Sequence, residues 1–565
     1  MIGLKNKISL FKYIIIIVST SLVLNFVINS NNKVTIISIL LILISFLAYK
    51  NLPEKEMTYI KFNKPFLSLF ILFLVTLITQ NVNLNFETLD WDIHSYLVVA
   101  LDIDRGNIPL ENQWESKGPL LFYLYNFIFK IGDSNFVYFK VLNDLILFFI
   151  SSFLFFSVYK SEKKNAPISF VCSIFFILLM SQTWGQAEYS EIYSLVFISA
   201  VYFIFLNFNL NTKNLFLISL LLSFSTLINQ GTILFVLGFG VALLLKYDYH
   251  FIKKNILYCV AGFILPHLFF LLIYINKDLF SVYKTTFYDI PIGYIGASLS
   301  SVRELSIFLR TYFVHDLFLY ISIIVTISFV LISIGFKNIR FKKNTFLHVV
   351  FINLFISFMF YFIGSHNYYH HLFFLLYFIS FLPNIFKKAN YKLFIMSLIL
   401  LSSFSISINS FHSSFKNLKN INSLIYDYPL YQVSMMIDDK FEKDYSIFAL
   451  DYVAVLHYLN KSNYSYIVHP SNHFEPYITD SLIKSNKIRT NEVNKLINEN
   501  PDIILCSGRK IMSGEIKKQE FFNCEISDWK KNYLKLDTFV YKDNRNLNYY
   551  RDPYRPIDLF IKTSP

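Results

Sequence analysis

Residues 89–104, LDWDIHSYLVVALDID, hold four aspartates in sixteen positions: Asp90, Asp92, Asp102 and Asp104. Carboxylates beside a bilayer are costly unless they are solvated or paired. A carboxylate whose pKa is raised by partial burial can take a proton from a hydroxyl as general base. The pattern after Trp91 predicts a short amphipathic helix. Asp92 opens it, where the positive helix end favours an acid, Tyr96 follows at i+4 on the same face, and Gly106 lies near its C-cap. Downstream, Lys117 falls in an extended Lys-Gly-Pro turn ahead of a helix that begins at Pro119. Other loops add Glu188 and Glu191, then His366, His370 and His371 in GSHNYYHH, then Arg303 and Arg310. A base of this kind could neutralise an anionic leaving group. The three histidines could bind a metal, but no Cys or Asp accompanies them at ligand spacing, so no metal site is assigned. No cofactor follows from any motif, although a divalent metal stays compatible with the chain. Each of these residues also fits a solvated loop position, and Asp92 fits a plain N-cap.

The elements that must position these groups are apolar. The chain has 565 residues, 55% hydrophobic and 16% charged, with a mean hydropathy of +0.46; a soluble chain carries about 25% charged residues. Apolar runs long enough to span a hydrocarbon core recur from Lys12 to Phe411. They predict a polytopic α-helical membrane protein of about 13 transmembrane helices. The spans are approximately 12–28, 33–49, 66–82, 137–158, 166–183, 189–208, 213–229, 231–247, 255–276, 313–336, 344–363, 369–386 and 390–410. The shorter run 119–131 reads as a re-entrant or interfacial helix. The first apolar run reads as an uncleaved signal anchor.

Lys and Arg crowd alternate loops, such as YKSEKKN and FKNIRFKKN, and are absent from TWGQAEY and GSHNYYHH. The positive-inside rule then puts the N-terminus in the cytoplasm. Residues 83–136, 277–312 and everything after about Ser410 face outside. The same loops account for the net charge of +13, and no basic stripe suited to nucleic acid is present. The expected division is a membrane domain, 1–411, whose outer loop 83–136 carries the chemistry, and a small extracytoplasmic α/β domain, 412–565. In the latter, YSIFALD, YSYIVH and DIILCSG read as strands, and TNEVNKLINENP reads as a helix. Cys506 and Cys524 are its only cysteines. They could form a disulfide outside the cell or be unrelated core residues. No CxxC pair supports a zinc or thioredoxin-type site.

The ordered set Trp-Asp, Tyr four residues on, Arg-Gly, Lys-Gly-Pro-Leu and a Tyr-rich helix resembles the first outer loop of the GT-C membrane glycosyltransferases. The nearest branch is the protein O-mannosyltransferase and lipid A aminoarabinose transferase group, in its bacterial members. The resemblance implies a catalytic aspartate at Asp92, with Asp90 as competitor, and a Lys-Gly-Pro element at Lys117, Gly118 and Pro119. It implies an acid opening a later helix at Glu191, with Glu188 as competitor. It places Gly364 and His370 in a Gly-x-Arg-x-x-x-His-Tyr element, where His366 stands in place of the usual Arg and His371 in place of the usual Tyr. The implied activity is inverting transfer of a sugar from a polyprenyl-phosphate donor to an envelope acceptor hydroxyl, in a bacterial plasma membrane. Competing readings are a transporter or flippase, a polysaccharide polymerase or ligase, and a structural anchor. Transporters keep ionisable groups near the bilayer midplane, often in repeated halves, and no repeat is present.

Overall fold

The computed structural model describes residues 64–87, 91–162, 164–181, 188–298, 345–362, 369–389, 408–441, 444–507, 533–542 and 554–562. The spans expected at 12–28, 33–49 and 313–336, and nearly all of 390–410, lie outside the described residues. So do Asp90, Arg303, Arg310, His366 and Cys524.

Among the described residues, four helices are long and apolar enough to cross a membrane: Pro65–Asn83, Phe136–Ser161, Ser190–Asn207 and Tyr249–Asn276. Local sequence sets where they start. Asn135 accepts from the backbone N–H groups of Val137 and Tyr138, and Asp248 from that of Phe251, so each satisfies amides that the first turn leaves unpaired. Asn165 and Asn211 cap the neighbouring helices Ala166–Met180 and Thr212–Ile228 in the same way. Only 17% of the most apolar stretch of Tyr249–Asn276 is buried. An uncovered apolar face of that size suits lipid. Phe139, Leu147, Leu195, Ile198 and Ile218 are buried between Phe136–Ser161, Ser190–Asn207 and Thr212–Ile228.

Two expected elements differ. The span 369–386 is broken into a 3-10 turn, Tyr369–Leu372, and two short helices, Phe373–Ile379 and Leu382–Ala389. Pro383 is the cause: it has no N–H to donate to Ile379 and its ring crowds that carbonyl, yet it fits the start of a new helix. Residues 280–298 of the expected loop 277–312 are helical, with a π turn over Thr285–Asp289.

The C-terminal segment forms a four-stranded sheet in the order β1-β2-β4-β3. β1 (Ile447–Ala449) and β2 (Ile503–Ser507) run parallel; β4 (Tyr554–Lys562) is antiparallel to both β2 and β3 (Tyr533–Lys542). The helix Glu492–Asn498 lies between β1 and β2 in the chain. YSYIVH is not a strand of this sheet. Its first residue stays on β1, with Tyr464 N–H donating to Ile447 O at 2.8 Å, and beyond it the backbone partner is the first large loop, where Ile467 bridges to Trp114: Trp114 N–H donates to Tyr466 O at 2.7 Å, and Val468 N–H to Trp114 O at 3.1 Å. A continuous helix, Ile408–Lys419, runs across position 411/412 and packs on Pro65–Gln80, with Asn417 Nδ2 donating to Asn81 O at 2.9 Å. Cys506 is buried and disulfide-bonded, while Cys172 and Cys259 form no disulfide.

Candidate active site

The loop helix Trp91–Asp102 carries Asp92 in its first turn, and Gly106 ends the following 3-10 turn at φ 87°, a left-handed conformation that favours glycine. The three described aspartates divide by task. Asp102 receives Arg105 at 3.3 Å and Asn107 at 3.1 Å. Asp104 receives Lys130 at 2.5 Å and Asn126 at 2.9 Å. Both therefore pin the far end of the helix. Asp92 faces histidines instead: His469 Nε2 lies 2.9 Å from Oδ1 and His370 Nε2 lies 4.0 Å from Oδ2. Its side chain is 19% exposed.

Lys117 is placed by the glycine after it. Gly118 N–H donates to Ile228 O at 3.0 Å, and a Cβ at Gly118 would collide with the Leu227 carbonyl. The Lys-Gly-Pro turn thus lies directly against the end of Thr212–Ile228. Lys117 Nζ comes 3.8 Å from Glu191 Oε1. Glu191 lies in the first turn of Ser190–Asn207, fully buried, and accepts from Asn229 Nδ2 at 2.8 Å and Ser190 Oγ at 3.1 Å. His371 Nε2 is 4.0 Å from the same Glu191 oxygen, and His370 stacks on Tyr189 with ring centroids 4.6 Å apart. Two chains of contact result, His469–Asp92–His370 and Lys117–Glu191–His371, joined through the adjacent histidines.

Burial pushes the Asp92 carboxyl up, but the His469 hydrogen bond and the charges of His469, His370 and Lys117 outweigh it. The net position is well below the usual carboxylate range, opposite to the raised pKa that partial burial alone suggests. Glu115 is pushed up, chiefly by burial. Tyr96 is fully buried, with its ring against Phe122 and Tyr125, so it forms the floor beneath Asp92. Burial and the nearby carboxylates, Asp92 first among them, drive its phenol well above the ordinary value. Glu188 is turned toward Asp144 and Tyr193, whereas Glu191 joins Lys117.

Glu191, His370 and His371 offer ligand atoms that all lie within 4.8 Å of one another, a donor set suited to zinc or a similar divalent ion. The Lys117 ammonium and the Asn229 amide hold the same carboxylate oxygen, so an ion there competes with Lys117. Sequence spacing within GSHNYYHH could not reveal the third member, because Glu191 comes from another loop.

Ahead of the loop helix in the chain, Glu87 ties the first large loop to the C-terminal segment. Its carboxylate accepts from Tyr458 OH at 2.7 Å and Leu430 N–H at 2.8 Å. Burial, outweighing these bonds, raises it from 4.5 to about 7. Such a group stays protonated in the fold while the unfolded chain ionises, so stability falls as pH rises between about 4.5 and 7 and changes no further above that. The expected result is a thermal midpoint that drops across this window in the unaltered protein, with a flatter dependence in Glu87→Gln. An equal slope in both would remove Glu87 as the cause.

No family model matches the chain, and no curated protein matches it. Among solved structures, it is similar to ArnT from Cupriavidus metallidurans bound to undecaprenyl phosphate, at 10% identity over 87% of this chain and 97% of that one, with a TM-score of 0.46. The apo state of ArnT from the same organism aligns at 10% identity over the same shares, with a TM-score of 0.42. Likenesses this loose carry no argument about function, which rests on the side chains described above.

Proposed function

We propose that the chain is an inverting glycosyltransferase that moves a sugar from a polyprenyl-phosphate donor to an acceptor hydroxyl of a cell-envelope glycan, lipid or protein, at the outer face of the membrane. The observation that carries the reading is the pairing, in one site at the ends of apolar helices, of a partly exposed carboxylate, Asp92, with a partly exposed ammonium, Lys117. The acceptor O–H gives its proton to Asp92 Oδ2 while its oxygen attacks the anomeric carbon. The bond from that carbon to the phosphate oxygen breaks on the opposite face, which inverts the centre. The departing lipid phosphate is an anion, and Lys117 offsets its charge. A low-lying carboxyl suits this order of events: it is ionised throughout the physiological range, and the hydroxyl becomes strongly acidic as the new bond forms. The apolar face of Tyr249–Asn276 would lie beside the lipid tail.

The deciding experiment incubates the purified protein with a panel of polyprenyl-phosphate sugars and follows release of polyprenyl phosphate. Absence of release from every donor by folded protein would overturn the reading. Lys117→Ala is expected to raise the donor KM about 10- to 100-fold, the worth of one hydrogen bond to a charged group, with a smaller change for the acceptor. An unchanged donor dependence would take Lys117 out of the site.

A further inference from the structure

The geometry points to His469 as a positioning residue that the C-terminal segment delivers to Asp92, which makes that segment a working part of the active site. His469 stands far from Asp92 in sequence yet lies 2.9 Å from it, and its side chain is only 10% exposed. The contact is built rather than incidental. The residues just before His469 are tied to the first large loop by the two Trp114 backbone bonds. Gln113 adds a second tie, with Nε2 donating to Ser465 O at 3.2 Å and Oε1 accepting from Asn463 N–H at 2.8 Å. The backbone at His469 is extended, as a following proline requires. On the other side of the ring, Ser471 Oγ lies 3.0 Å from Nδ1. Ser471 thus holds Nδ1, and Nε2 is the nitrogen that donates to Asp92 Oδ1. His469 thereby fixes one carboxylate oxygen, Oδ1, and with it the orientation of the carboxylate.

This role rests on the glycosyltransferase reading for its kinetic consequence, but not for its electrostatic one. His469→Ala is expected to lower kcat about 10- to 100-fold, one charged hydrogen bond's worth, with little change in donor KM. His469→Gln keeps an N–H donor and is expected to recover much of the rate. Ser471→Ala, which removes only the hydroxyl on Nδ1, should lower kcat by less, again with little change in donor KM, and serves if His469→Ala does not fold.

Infrared spectra of protein carrying 13C-carboxyl aspartate give a readout without turnover, with the Asp92 carboxylate band assigned by its loss in Asp92→Asn. Loss of the His469 hydrogen bond should shift that band in His469→Ala. A kcat within about 2-fold of the unaltered protein, or an unmoved band, would overturn the assignment. A wild-type protein silent on every donor whose band nonetheless moves would fail the transferase reading alone.

Discussion

Asp92→Asn is expected to lower turnover by about 10²–10⁴-fold, the usual worth of a positioned proton acceptor, and to leave folding intact. Asparagine keeps the shape of the side chain, and its carbonyl can still accept from His469. What it lacks is the second oxygen lone pair, on the atom that lies 4.0 Å from His370. The loss should therefore fall on kcat rather than on donor KM. Asp102→Asn is the matched control. Asp102 lies at the other end of the same helix and bonds Arg105 and Asn107, so its replacement should cost stability and little turnover. Single-turnover transfer by the unaltered protein, Asp92→Asn, Asp102→Asn and Asp90→Asn separates the cases. Near-normal transfer by Asp92→Asn, with a collapse in Asp90→Asn, would move the base two residues upstream.

Gly118→Ala is expected to be at least as damaging as Lys117→Ala, although it removes no charge. The obstacle is space rather than conformation. Gly118 has φ −74° and ψ 153°, which any residue adopts. An added Cβ would meet the backbone at Leu227 and Ile228, and backbone atoms cannot rotate aside as a side chain can. The end of Thr212–Ile228 would have to move, and Asn229 and Gln230, which hold Glu191 and the Ser116 carbonyl, would move with it. Overpacking of this kind costs about 1–3 kcal/mol or more. Gly240, with nothing within 4 Å of its Cβ position, is the comparison; alanine there should be harmless or stabilising. Gly118→Ala with wild-type melting and wild-type donor KM would disprove the close approach.

Helices were the most readable level of this sequence, because a run of apolar residues without an internal break has few alternatives in lipid. The run at 369–386 shows the limit of that logic: hydropathy continues through Pro383, but hydrogen bonding does not. Asp92, Lys117 and Glu191 were legible by residue type and local turn chemistry. Their mutual contact was not, since nothing in the spacing of two loops says that they meet. His469 was invisible for a related reason. YSYIVH has the alternation of a strand, and a strand's partner cannot be read from the strand alone. Beyond Tyr464, which stays on β1, the partner is the loop around Trp114, and this choice turns a histidine of a sheet-bearing segment toward Asp92.

The tie between Gln113 and Asn463 spans 350 residues, which bears on biosynthesis. Chains emerge at about 5–20 residues per second, so the loop bearing Asp92 waits about 20–70 s after synthesis before the segment that completes its surroundings exists. During that interval the nascent chain holds an ionised carboxylate without its histidine and a loop edge without its covering backbone. The intermediate is a membrane protein with inserted helices and an unfinished site. Contacts this distant in sequence form late because the intervening chain must first be ordered. The gain of activity would then mark the end of folding, and a ribosome that stalls before residue 463 would leave an inserted but inactive protein.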